Sequence, residues 1–305
     1  MTGLGASIVT GGGRGIGRAV ALALAAEGHA VCVNDTGVGV DGRGPDPGPA
    51  AAVAAEIAAA GGRAMAVDVD ARARPGAEAV VAQAQDWSGA PPSVLVHAAG
   101  TLRDARVDRA SDDDWSEVLG AHLAVAVELT RALAGGMRRA GYGRIVYVGG
   151  AAGLVGSFGQ PAYATAKAAL FGLTRAVALE LAAGDVCVNY LAPFAFTRMT
   201  ESIPPATPRL RAYLESAPAA RPEDVAPVVA WLCSPASAGV TGQIFGARGA
   251  ELALWSQPRP VATAVQSDGW DAAGVGAAVA GMGGHLVPLE SEFDLFGGPP
   301  VAVAR

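Results

Sequence analysis

Tyr163 and Lys167 stand four residues apart in the run Tyr163-Ala164-Thr165-Ala166-Lys167. On a helix that spacing puts both side chains on one face. An ammonium there draws the phenol pKa down and makes Tyr163 a proton donor or acceptor. Such pairs also arise by chance on surface helices. This one gains meaning from Thr10-Gly11-Gly12-Gly13-Arg14-Gly15-Ile16-Gly17 far upstream, which follows a strand-like run and opens a helical one. In that position backbone N–H groups and the helix dipole receive a pyrophosphate, and Gly11, Gly15 and Gly17 allow its close approach. A proton-exchanging phenol combined with a dinucleotide cradle implies nicotinamide redox chemistry. Asp35 closes the second strand-like run, where a carboxylate binds the adenosine ribose 2′-hydroxyl and repels a 2′-phosphate. NAD is the expected cofactor, with NADP admitted through the offsetting charges of Arg14 and Arg43. The competing role for Asp35 is a turn in Asn34-Asp35-Thr36-Gly37.

The elements that must position these residues alternate. Strand-like runs at 6–10, 30–35, 63–68, 94–96, 144–148 and 186–191 are separated by Ala-rich helical segments at 15–28, 50–60, 76–87, 112–140 and 161–183. The strands are apolar at successive positions, as in a parallel sheet covered on both faces. The expected fold is α/β, a doubly wound parallel sheet of Rossmann type, with a dinucleotide-binding domain over 1–250 and a C-terminal extension over 251–305. Thr36–Pro49 reads as an exposed loop rich in Gly and Pro. The proline-rich segment Pro193–Pro222 follows a strand's carboxyl end and reads as a substrate lid. The extension is Gly- and Pro-rich with weak periodicity, which leaves open wrapping over the domain, wrapping over a partner, or disorder.

A chain of 305 residues that is 51% hydrophobic buries a large core. Its net charge of −6 argues against nucleic acid, which demands a basic surface. Cys32, Cys187 and Cys233 sit singly in apolar runs and read as reduced packing residues, so the expected location is cytoplasmic. No signal peptide and no membrane helix are expected. The four histidines lack metal-ligand spacing, so no metal is expected. Asp112-Asp113-Asp114 reads as an N-cap and dipole complement rather than a metal site.

The glycine turn, Asp68-Val69, His97-Ala98-Ala99-Gly100 where NNAG is usual, the Tyr-x-x-x-Lys pair and Asn189 to Pro193 resemble the short-chain dehydrogenase/reductase family over roughly residues 3–250. Val33-Asn34-Asp35, Gly100 to Asp104, His122-Leu123, Gly156 to Gln160, Arg198-Met199-Thr200 and Val225 to Cys233 are similar to the (3R)-hydroxyacyl-CoA dehydrogenase part of peroxisomal-type multifunctional β-oxidation enzymes. The resemblance implies Tyr163 as acid/base, with Lys167 holding the nicotinamide ribose. It sets His122 where the family's relay asparagine stands, a packed core histidine being the equal alternative. Thr197 would meet the carboxamide, and Asp68 and Val69 the adenine. Thr10, Gly11, Arg14, Gly15, Ile16, Gly17, Asp35, Ala98, Ala99, Gly100 and Pro193 complete the implied cofactor contacts. The family's serine, a hydrogen-bond donor to the reacting oxygen, corresponds to Gly150 here, and Val148 to Ala152 contains no hydroxyl. Losing such a donor typically costs about 100- to 1000-fold in rate. Ser157 or His97 could restore one, against the simpler reading of each as a local hydrogen-bonding residue.

The leading expectation is an NAD-dependent dehydrogenase or reductase of a 3-hydroxyacyl thioester or a polycyclic steroid- or polyketide-like substrate. A homo-oligomer is the expected assembly. Gly150 motivates two alternatives: a cofactor-binding subunit in a heteromer with an active homologue, and an enzyme performing non-redox acid/base chemistry with Tyr163.

Overall fold

A strand that is apolar on both faces has to be sandwiched, and helices on either side do this when parallel strands are joined by helical crossovers. The computed structural model describes residues 6–203, 205, 207–296, 298–301 and 303. Residues 3–5, Pro204 and the chain end, which figured in the expectations above, lie outside them. The strands are β1 (Ser7–Thr10), β2 (Ala30–Asn34), β3 (Arg63–Val67), β4 (Val94–His97), β5 (Gly143–Val148), β6 (Val186–Phe194), β7 (Ile244–Arg248) and β8 (Glu251–Leu254). They form one sheet in the order β3-β2-β1-β4-β5-β6-β7-β8, parallel except for antiparallel β8. The chain starts at β1, runs out to β3 and returns to β4 beside β1. A cleft opens at that reversal, above the strands' carboxyl ends.

The helices are α1 (Gly15–Ala26), α2 (Gly48–Ala59), α3 (Arg74–Ser88), α4 (Asp112–Leu119), α5 (Val125–Ala140), α6 (Ala152–Val155), α7 (Pro161–Leu181), α8 (Arg198–Glu201), α9 (Pro208–Ser216), α10 (Pro222–Cys233), α11 (Ala272–Gly281) and α12 (Glu292–Leu295). Alternate strand residues point to opposite faces, and the core divides accordingly. Val9, Val33, Val96 and Val146 meet α1, α2 and α10, whereas Ile8, Cys32, Leu95, Ile145 and Tyr147 meet α3, α5 and α7.

The helix expected over 112–140 is continuous but contains a π turn at Gly120–Ala124, which carries His122. Its cap is Ser111, whose side chain and that of Asp114 form a reciprocal capping box, so Asp114 sits inside the first turn rather than at the cap. By length and composition alone the 29-residue run could cross a membrane. Leu129, Leu133 and Met137 instead bury its apolar face in the core.

The sheet extends into the C-terminal extension through β8. Beyond α11 the chain returns: Ala250 N–H donates to Val301 O at 2.8 Å, and Val301 N–H donates to the Glu251 carboxylate at 2.9 Å. The buried Arg248 guanidinium donates to Gly298 O. Phe296 stacks near Phe194 (5.0 Å) and Trp255 (5.9 Å), while Phe293 meets Tyr213 edge-on at 5.2 Å. Of the alternatives left open for this segment, its end wraps over its own domain.

Candidate active site

The cleft contains a cavity of about 430 Å³, within the range of small-molecule and cofactor sites. Gly11, Arg14, Gly15, Ile16, Gly17, Asp35, Val69, Ala98, Ala99, Gly100, His122, Tyr163, Lys167, Pro193 and Thr197 all line it. Thr10 and Asp68, expected among the cofactor contacts, do not. Thr10 Oγ1 accepts from Ala99 N–H (3.2 Å) and lies 2.9 Å from His97 Nδ1, fastening β1 to β4. Asp68 is exposed; Asp70 and Arg72 join Val69 in the wall.

The cradle fits a dinucleotide. Gly11 has φ of +63°, and a Cβ there would stand 2.7 Å from the Ala99 backbone, so only glycine lets the turn press against β4. Arg14 caps α1 without a side-chain bond, which leaves first-turn N–H groups for a pyrophosphate. Asp35 is oriented by two backbone donors, Gly13 N–H (2.8 Å) and Gly37 N–H (2.7 Å). Arg14 donates to the Gly37 and Val38 carbonyls (3.0 and 3.2 Å) and Arg198 to Val38 O (3.1 Å). The expected loop after β2 is thereby strapped along the cleft.

At the reacting end, Lys167 Nζ donates to Val148 O at 2.8 Å and lies 5.4 Å from the Tyr163 ring centroid. Burial brings the lysine down to about 7 and, with Glu292 as the next cause, raises the Tyr163 phenol well above its ordinary value. The expected lowering of the phenol is therefore not found. Desolvation disfavours the very ammonium that was to cause it.

His122 is buried edge-on to Tyr163 at 5.3 Å, and burial holds its ring neutral. A neutral ring that donates from Nε2 to Thr101 O (2.9 Å) leaves Nδ1 as an acceptor. Among the described residues nothing reaches that buried Nδ1. A relay role and a packing role both remain compatible with this placement. His97 is not available as a donor to substrate: besides Thr10, its Nε2 lies 2.7 Å from His122 O.

A Cβ added at Gly150 would meet only Tyr163 Oη at 3.5 Å and Lys167 Cγ at 3.8 Å, which is ordinary contact. Space for a serine exists. Behind it, the buried Tyr190 hydroxyl accepts from Gly150 N–H (2.9 Å) and donates to Gly150 O (2.8 Å). Its ring fills the volume that any Gly149 side chain would need.

The far wall is built from Phe194, Met199, Ile203, Tyr213, Glu292 and Phe293. The expected lid thus contributes Phe194, which ends β6, with Met199, Ile203 and Tyr213, and the extension contributes Glu292 and Phe293. Burial pushes the Glu292 carboxyl up to about 7, against the nearby Ser157 side chain and Ala152 backbone. Gln160 also lines the cavity, donating to Asp104 at 3.1 Å. Sequence reading missed Tyr190, Arg198, Tyr213, Glu292 and Phe293 as site residues. None left a local signal: Tyr190 pairs with Tyr147 across the sheet, and its hydroxyl reaches the Gly149-Gly150 turn just past β5 only in the folded chain.

The description "short chain dehydrogenase" belongs to the family profile that matches residues 6–207. The peroxisomal multifunctional enzyme type 2 of Mus musculus is 39% identical over 140 residues, 46% of this chain and 18% of that protein. A 3-oxoacyl-acyl-carrier-protein reductase of Vibrio harveyi is 35% identical over 176 residues, 56% of this chain and 71% of the relative. The crystal structure of a short chain dehydrogenase from Mycobacterium avium superposes with a TM-score of 0.79 at 34% identity, covering 94% of this chain and 97% of that one.

Proposed function

Because this chain belongs to the short chain dehydrogenase family, we propose that it interconverts a secondary alcohol and a ketone with NAD, Tyr163 exchanging the hydroxyl proton. NAD(P)-dependent oxidoreduction is the chemistry of the family. The observation that carries the reading is one cavity lined both by the pyrophosphate turn and by Tyr163, Lys167 and His122. A bound nicotinamide supplies or accepts hydride at the substrate carbon. Tyr163 holds or takes the proton at the substrate oxygen, Lys167 orients the ribose beside it, and His122 Nδ1 offers an acceptor for a relaying water.

The preference for NAD rests on Asp35. Arg43 pairs with Asp41 at 3.6 Å, and Arg14 donates from Nη1 to two loop carbonyls while its Nη2 lies 3.9 Å from the Asp46 carboxylate. Aromatic and apolar side chains on the far wall suit an acyl chain or fused rings, so a 3-hydroxyacyl thioester or a polycyclic ketone is the substrate class. Relatives named as acting on 3-oxoacyl-carrier and acetoacetyl-CoA substrates support the first. A homo-oligomer packed through α7 belongs to the same reading. Thr165, Ala168, Gly172 and Ala176 leave an exposed small-residue stripe on that helix, ending at Leu179. Three buried free thiols agree with a cytoplasmic location.

Gly150 favours a second reading, a cofactor-binding subunit that completes a heteromer. The test is steady-state assay of the purified chain with NAD(H) and NADP(H) over acyl-thioester and polycyclic ketone panels, beside its Gly150→Ser variant. Turnover abolished by Tyr163→Phe is expected. No turnover in either protein, with activity appearing only when a homologous subunit is added, would transfer the case to the second reading.

A further inference from the structure

Tyr163 lines this cavity, and Gly150, where an added Cβ would stand 3.5 Å from Tyr163 Oη, offers no side-chain donor beside it. Three carboxyls line the same space. Asp35 and Asp70 stand at the adenosine end, and Glu292 stands at the reacting end with Tyr163. We propose that the Glu292 carboxyl, in its protonated form, donates the hydrogen bond to the reacting oxygen that a serine at position 150 would otherwise supply. The role rests on the oxidoreductase reading above.

The placement of Glu292 is fixed from several sides. Its own N–H donates to Gly156 O at 3.1 Å, which ties it to the segment that follows Gly150. Ser291 and Asp294 close a reciprocal cap around it (2.7 and 2.8 Å), so the turn that presents the side chain is rigid. Phe293 on Tyr213 and Phe296 on Phe194 clamp the residues that follow. The Ala152 backbone and the Ser157 side chain neighbour the carboxyl. A protonated carboxyl has one O–H to donate, and Glu292 lines the cavity.

The surroundings favour the neutral acid. Asp104 faces it from the loop after β4, and Tyr163, Tyr190 and Tyr213 face it from α7, β6 and α9. Arg248, beside Tyr213, is held by Gly298 O and Glu251. Gln160 Nε2 donates to Asp104, His97 bonds Thr10 and His122, Tyr190 donates to Gly150 O, and Lys167 Nζ donates to Val148 O.

In the reductive direction the carbonyl oxygen accepts hydrogen bonds from the Tyr163 phenol and the Glu292 acid. A bound reduced nicotinamide would supply hydride to the carbonyl carbon, and the π pair would move onto oxygen. That oxygen takes the Tyr163 proton, and Tyr163 is reprotonated from solvent. Glu292 keeps its proton throughout and acts only on the developing charge. Once ionised it would repel that charge, so the donor works below about pH 7 and becomes an obstacle above it.

The test is ketone reduction from pH 5 to 9, on a simple 3-oxoacyl thioester lacking a nucleotide, by wild type and the Glu292→Ala, Glu292→Gln, Gly150→Ser and Gly150→Ser/Glu292→Ala variants. Infrared titration of the protein alone accompanies it. Expected are a loss of about 100-fold in Glu292→Ala, its recovery when serine is added at 150, and disappearance of the alkaline fall in Glu292→Gln. A protonated-carboxyl band that vanishes near pH 7 in wild type and is missing from Glu292→Gln is the matching signature. Glu292→Ala within about threefold of wild type, or Gly150→Ser alone gaining about 100-fold, would overturn the role while leaving the oxidoreductase reading intact. So would recovery in neither background, or an infrared titration that Glu292→Gln does not alter. No ketone reduction by any variant would remove the oxidoreductase reading and this role together.

Discussion

The two halves of the cleft are built on different principles. Around the glycine turn, backbone carries the geometry: Gly11 against Ala99, the uncapped first turn of α1, and Asp35 oriented by two amides. Around the reacting carbon, side chains far apart in sequence carry it: Tyr190 from β6, Tyr213 from α9, Glu292 from α12 and Phe194 beyond β6's core. The first half is specified by local chain conformation. The second exists only once the tail has folded back, and it lies beside Gly150.

Changes where the halves meet should have the largest effect. Tyr163→Phe removes the group that exchanges the proton and should lower kcat by about 1000-fold or more with or without serine at 150, as stopped or steady-state assay would show. A variant retaining a tenth of wild-type kcat would place the proton exchange elsewhere. Next comes Tyr190→Phe, which strands the Gly150 amide and carbonyl and should cost about 1–3 kcal/mol in chemical denaturation. Unchanged stability would mean that water replaces the hydroxyl and that the substrate half is less tightly specified than the contacts indicate.

On the cofactor side, Asp35→Ala should shrink the preference for NAD over NADP by about tenfold, roughly 1.4 kcal/mol, measured by titration of both. A preference that survives would assign it to Arg198 and the strapped loop instead. A further expected effect is on stability against pH. Native Glu292 keeps a proton that the unfolded chain releases above its ordinary pKa of 4.5, so stability falls as pH rises from there to about 7. Native Lys167 gives up at about 7 a proton that the unfolded chain holds to about 10.5, so its penalty is relieved as pH rises across that upper window. Melting curves of the ligand-free protein should therefore dip near neutrality. Glu292→Gln should flatten the acid side only and Lys167→Met the alkaline side only.

How much could be read in advance follows the same division. Apolar strands, the glycine turn, Asp35 and the α7 pair announce themselves over a few residues, because periodicity and turn chemistry are local. The π turn under His122 gives no such signal, since one extra residue inside a helix leaves the pattern of apolar positions nearly unchanged. β7 and β8 are short; the first ends at Arg248 and the second begins at Glu251, and both residues find partners in the tail. Glu292 sits in a four-residue helix amid Gly and Pro; its importance comes from a cavity formed mostly by residues more than eighty positions earlier. The lowered phenol expected from the Tyr-x-x-x-Lys spacing failed for a related reason. Spacing reports that two groups are neighbours, and only the packed cavity shows how much desolvation each must bear.

The ties between Ala250, Glu251 and Val301 have one more consequence. They bring the start and end of the extension together at the edge of the sheet, so that the stretch between Gln257 and Leu289, largely solvent-exposed, is an excursion held at both ends. For a tethered loop, doubling the length costs only about 0.6 kcal/mol. The path of that excursion is consequently almost free to drift in length and composition, while its last turn is delivered to the same place by the anchors alone. Inserting a flexible tag there should leave the catalytic wall intact, and a protease nick in it should yield two pieces that remain one enzyme.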